Sequence, residues 1–123
     1  MPGGGGSRND YPEAKPSQQL IFTRNVLAGQ GVKITQDSPL KGTVVEVMEH
    51  FPPGCNALVD VMVGRSSKQF VPQSGYIALD NATPIFRSIN EPVNENESVW
   101  VEMRNRDAMN PHNITVTVTI EAA

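Results

Sequence analysis

From Leu20 to Ile120 the chain is written in short apolar runs cut by turn residues, and the runs alternate with a period of two rather than 3.6. Two segments carry the pattern most cleanly. Residues 98–104 set Val99, Val101 and Met103 against Trp100, Glu102 and Arg104, and residues 114–120 set Ile114, Val116, Val118 and Ile120 against Thr115, Thr117 and Thr119. Successive side chains of a strand point to opposite faces, so β-branched residues alternating with polar ones predict strands with one face buried. A first strand region holds Leu20, Ile21, Phe22, Val26 and Leu27, stops at Ala28–Gly31 and restarts over 32–35. Further strands are predicted at 43–50, where Val45 and Val47 alternate with Glu46 and Met48, and at 57–63, ALVDVMV, which is apolar on both faces. Brief ones follow at 69–71, 76–79 and 84–89.

Asp37-Ser38-Pro39, Pro52-Pro53-Gly54 and Asp80-Asn81 punctuate these runs as turns. Nowhere do apolar residues recur at i, i+3, i+4 and i+7 without an intervening Pro or Gly. About eight strands of unequal length predict an all-β fold, an antiparallel β-sandwich of jelly-roll type.

Residues 1–18, MPGGGGSRNDYPEAKPSQ, break the pattern. Four consecutive Gly, Pro2, Pro12, Pro16 and a single large aromatic, Tyr11, give this stretch too little apolar surface to offset its own ordering entropy. It reads as an extended arm in front of one domain, residues 19–123, and stretched out it spans on the order of 60 Å. Arg8 and Lys15 balance Asp10 and Glu13, unlike a basic arm that grips nucleic acid.

A length of 123 residues allows one core, and the 38% hydrophobic fraction makes it modest. A net charge of -3 with a pI near 5.3 argues against a nucleic-acid partner. No apolar run is long enough to predict a membrane span, and MPGGGGSRNDYPE lacks the apolar stretch of a secretory signal, so a soluble protein is expected. Cys55, the one cysteine, has no partner for an internal disulfide.

Candidate chemistry is sparse. His50 and Cys55 flank Pro52-Pro53-Gly54, but zinc needs four ligands and His112 is the one further soft donor, so no metal is expected. Residues 90–97, NEPVNENE, carry the oxygen donors that calcium prefers, without EF-hand spacing, and a solvated hairpin accounts for them equally. Residues 64–68, GRSSK, offer two cations and two hydroxyls to a phosphate but lack the strand–loop–helix context of a P-loop, so an exposed turn is favoured. Ser66, Ser67 and Ser74 have no nucleophile-elbow sequence around them, so no enzyme and no cofactor are expected. The Asn-x-Ser/Thr triplets at Asn81, Asn96 and Asn113 carry no weight without a secretory signal.

Six residues are candidates for interaction. Trp100 and Arg104 lie on the polar face of their strand and belong to types enriched at interface hot spots. Met109 sits in the turn-rich connection 105–113, and Tyr11, Pro12 and Pro16 punctuate the arm.

A Gly/Pro arm, a sandwich of strands, and the runs GYIALDNATPIF and NESVWVEMRNRDAMNPHNITVTVTI together resemble the small jelly-roll or β-sandwich decoration (cement) proteins that tailed viruses place on their capsids. That resemblance implies a structural role at the virion surface. It also implies a homo-oligomer, commonly a trimer, whose arms reach adjacent subunits and a major capsid or other lattice protein. The alternative is a carbohydrate-binding or adhesin-like sandwich that stacks a glycan on Trp100 and Tyr76.

Overall fold

The computed structural model describes residues 15–123. Nine strands account for it: β1 Ser17–Val26, β2 Gly31–Asp37, β3 Gly42–His50, β4 Val59–Arg65, β5 Lys68–Val71, β6 Ile85–Phe86, β7 Glu91–Val93, β8 Ser98–Asn105 and β9 His112–Ala122. No helix occurs among the described residues. One sheet has the order β1-β9-β3, with β6 and β7 both on the far edge of β3, and the other has the order β2-β8-β4-β5.

Taking β6 and β7 as one edge position, the pairs are β1 with β9, β2 with β8, β3 with β6/β7 and β4 with β5, all antiparallel. They form one long hairpin with its tip at the β4–β5 turn, and successive pairs fall alternately into the two sheets. Rolling such a hairpin is what makes a jelly roll.

The core lies between the inward faces. Ile114, Val116, Val118 and Ile120 of β9 are fully buried, as are Val99, Val101 and Met103 of β8 and Val59, Val61 and Val63 of β4. Phe22, Val26, Val44, Val47 and Phe51 pack with them, and Leu20, Cys55, Phe70, Val71 and Val93 extend the same cluster. Each such side chain contributes on the order of 2 kcal/mol by leaving water.

Three details differ from the sequence expectation. The first strand region is two strands in two sheets, because Leu27–Gln30 turns the chain across the sandwich, with Gln30 N donating to Leu27 O at 3.1 Å. Residues 76–79 make a single bridge, Ile77 to Val61, rather than a strand. Residues 91–93, read as loop, form β7, where Pro92 is tolerated because it lies on an edge.

Strand β3 also departs from simple alternation. Its register with β9 shifts between Val44 and Glu46, so Val45 is a bulge residue and Val44 and Val47 both reach the core. The same phase carries Glu49 inward, where it is fully buried and neither carboxyl oxygen has a hydrogen-bond partner. Burial pushes this carboxyl up to about 8 from 4.5, which keeps it neutral at pH 7.

The folded protein therefore holds a proton that the unfolded chain has released between about pH 4.5 and 8. The stability that this group contributes is fully present below the unfolded pKa and falls by roughly 1 kcal/mol per pH unit as pH rises through that window. Replacing Glu49→Met should remove this dependence, and thermal unfolding from pH 5 to 8 checks it: a wild-type profile as flat as the variant's contradicts the assignment.

Candidate interaction surface

The outer face of the second sheet is built by odd positions of β2 and even positions of β8 and β4, whose register sets Lys33 beside Glu102, Thr35 beside Trp100, Trp100 beside Gly64 and Arg104 beside Asp60. Trp100 is only 8% exposed. Its ring lies over Gly64, where a Cβ would collide with it, and its Nε1 donates to Ser66 O at 2.8 Å. Lys33 Nζ covers the ring 4.4 Å from its centroid. The platform expected for a glycan is thus occupied by the protein's own lysine and glycine.

Tyr76, the other aromatic of that expectation, is 47% exposed. The guanidinium carbons of Arg104 and Arg106 each lie 6.0 Å from its ring centroid. Both arginines lean on one buried carboxylate: Arg106 Nε donates to Asp60 at 3.1 Å, and Arg104 Nη2 stands 3.7 Å from it. Arg106 Nη2 also donates to Ala57 O at 2.8 Å. Residues 76–79 and the start of the 105–111 loop bring this group together, which spacing along the chain does not show.

Met109 is 82% exposed at the tip of the β8–β9 loop. A polar network holds that loop. Buried Asn105 donates through Nδ2 to Val26 O at 3.1 Å and Asn110 O at 2.9 Å, while its Oδ1 accepts from Asp107 N. Asp107 accepts from the Met109 and Asn110 amides and pairs with His112 Nε2 at 2.8 Å. The Met109 amide and then His112 hold the Asp107 carboxyl at about 2. Gly29 N donates to Asp107 O, so the β1–β2 turn with exposed Leu27 is tied to the same loop.

The two polar segments weighed separately for calcium and phosphate meet across the sandwich. Arg65 donates from Nε to Glu91 at 2.7 Å and from Nη1 to Glu97 at 2.9 Å; Lys68 Nζ reaches Glu91 at 2.9 Å, and Ser66 Oγ donates to Glu97 at 2.6 Å. Burial acts to raise the Glu91 carboxyl, but Lys68 and Arg65 outweigh it and bring it down. Glu97 is lowered by Ser66 against burial, helped by the Asn94 amide and Arg65. Asn96, at φ 66°, makes the turn that returns Glu97 toward Arg65. The carboxylates and cations are spent on each other, and they clasp β4 of one sheet to β7 of the other.

Beside this clasp, a cleft of about 730 Å³ runs between the β5 edge and residues 88–91, lined by Gln69, Phe70, Gln73, Ile89 and Asn90. His50 and His112 have different partners: His50 Nδ1 is 2.8 Å from Thr83 Oγ1, and His112 faces Asp107. Cys55 is buried, and burial followed by the Asp80 charge pushes its thiol up. No group of three or more His, Cys, Asp or Glu residues able to hold a metal ion occurs among the described residues. Among the described residues no helix is long and apolar enough to cross a membrane. Of the predicted interaction residues, Arg104 and Met109 are exposed, Trp100 is buried, Pro16 is exposed just before β1, and Tyr11 and Pro12 lie outside the described residues.

No family model and no curated protein matches the chain. Among solved structures it is similar to a chain of the cyanophage Pam1 capsid asymmetric unit, at 14% identity over all of both chains with a TM-score of 0.52. It is also similar to the Bacillus endospore appendages described as disulfide-linked pili, at 10% identity over 92% of this chain and 93% of that one, TM-score 0.48. A third similarity is to the Yersinia pseudotuberculosis-derived mitogen, at 12% identity over 88% of this chain and 90% of that one, TM-score 0.49. At 14% identity the cyanophage likeness defines a shared fold and nothing finer.

Two variants test the construction of this surface. Arg65→Met leaves Glu91 and Glu97 facing each other with Lys68 alone, so it should cost about 2 kcal/mol, seen as a lower urea midpoint at unchanged slope. Asp107→Ala should speed amide hydrogen exchange at Met109 and Asn110 by about tenfold or more while β8 and β9 stay protected.

Proposed function

We propose that this protein is a non-enzymatic structural component of a viral shell, a capsid decoration or cement protein that stabilises a lattice through contacts between subunits and through its N-terminal segment. The observation that supports this reading most directly is the fold match to a chain of a cyanophage capsid asymmetric unit, because it extends over the whole of both chains. The exposed features fit an assembly role. Tyr76, Arg104 and Met109 are side chains of the kind that anchor interfaces, and the Asn105–Asp107–His112 network fixes the loop backbone that presents Met109, which limits the backbone entropy lost on binding.

An arm tethered to a compact domain raises the effective concentration of every contact it makes, so weak contacts repeated around a lattice add up to a stable shell. On this reading the partners are further copies of this chain and a major capsid protein, and the protein sits at the virion surface.

Shells prepared without the protein provide the test. The full chain should bind them and raise their disruption temperature. A chain lacking residues 1–14, which ends before β1 begins, should keep its β-sheet circular dichroism yet bind at least about tenfold more weakly. Failure of the full chain to bind would overturn the reading, and equal binding by the shortened chain would remove the arm from it.

A further inference from the structure

Strand β1 is ten residues long and, among the described residues, forms the edge of its sheet and pairs with β9 alone. Ala122 N donates to Pro16 O at 2.8 Å, so the backbone groups of even-numbered residues in β1 turn toward β9. Those of Ser17, Gln19, Ile21, Thr23 and Asn25 therefore turn to the open edge. Among the described residues, one hydrogen bond is made there, from Gln36 Nε2 to Ile21 O at 2.8 Å, and a carbonyl oxygen has a second lone pair.

Edge strands are normally guarded by charged side chains, Pro or bulges. The edge of the other sheet follows that rule, since Lys33 and Asp37 stand exposed along β2. On β1 the residues that present their backbone outward carry no charge, the register with β9 is unbroken, and Ile21 is 56% exposed.

We propose that the open edge of β1 is a strand-pairing interface, and that its occupant is β1 of a second copy of this chain, antiparallel about a two-fold axis at Ile21. A two-fold contact demands a surface complementary to itself. Register about Ile21 sets Ile21 against Ile21, Gln19 against Thr23 and Ser17 against Asn25 of the second copy. The exposed apolar pair lies on the axis, hydrogen-bonding side chains flank it, and no like charges are opposed, because Arg24 faces Gln18.

Residues 1–14 are a poorer occupant, as Pro2, Pro12 and four consecutive Gly are weak strand formers. The same register brings Pro16 of one copy beside Val26 of the other. That is the lip of a groove of about 230 Å³ lined by Arg24, Leu27, Gln30 and Val32, so pairing directs each copy's leading segment onto its neighbour. This interface is independent of what the assembled protein binds.

Light scattering on the full chain at about 100 µM should give twice the 13.4 kDa chain mass, with the amides of Gln19, Ile21, Thr23 and Asn25 slow to exchange. Ile21→Lys opposes two ammonium groups on the axis, and Thr23→Pro removes an N–H that β9 does not use. Each should raise the dimer dissociation constant at least about tenfold and free those amides, with an unchanged circular dichroism spectrum. Thr35→Lys on the β2 edge is the control and should leave the mass unaltered. A monomer at this concentration overturns the proposal. So does any dimer or trimer that survives both β1 substitutions, which would place the contact elsewhere.

Discussion

The roll is held by the inward faces of β8 and β9, the central strands of the two sheets. Val99, Val101 and Met103 on one side and Ile114, Val116, Val118 and Ile120 on the other are without solvent exposure, and β1, β2, β3 and β4 each pair directly with one of the two strands. The two strands are consecutive in the chain, so the loop between them must cross from sheet to sheet at one end of the sandwich. Asn105 makes that crossing compact by taking up carbonyls of the β1–β2 corner and of the loop itself. Fixing this corner is also what holds Met109 outward, so the demand of the core and the shape of the exposed loop are one constraint.

Electrostatics close the other end. Arg65 in β4 and Glu91 in β7 belong to different sheets, and with Glu97, Lys68 and Ser66 they form a clasp beside the hairpin tip. The groups are mostly shielded, so separating them would strand charge in poor solvent, which is why the clasp acts as a structural tie more than a ligand site. Its members lie at 65–68 and 91–97, each a plausible site when read alone. Pairing across the sheets takes up the charges of Arg65, Lys68, Glu91 and Glu97 on which those readings drew.

Polar residues elsewhere divide by where the sheets leave them. Asp60 is buried beneath two arginines that remain half in solvent against Tyr76, while Glu49 is carried into the apolar interior with no partner and stays neutral. Trp100 lies on the outer face yet is covered, because Gly64 opposite it leaves room for the ring to lie flat. The large apolar side chains left exposed are therefore at the loop end, with Tyr76 and Met109, and on β1, with Ile21, rather than on the tryptophan face.

Alternation by itself determined the all-β class, the positions of β8 and β9 and the sandwich, because a period of two is a local property of pleated backbone and of which face meets the core, and the turn chemistry of Pro and Gly marked the break at Pro52-Pro53-Gly54. It could not assign the first strand region to two sheets, since Leu27–Gln30 is as good a bend within a sheet as between sheets. It missed β7, because Pro and polar residues on a short edge strand look like loop. Of the candidate surface, Arg104 and Met109 were legible as residue types on exposed positions. The company of Arg106, Asp60 and Tyr76, the covering of Trp100 by Lys33, and the cancellation of Arg65 by Glu91 and Glu97 were decided by tertiary structure, because each joins side chains whose proximity depends on the order of strands, and strand order is a long-range choice that no local pattern encodes.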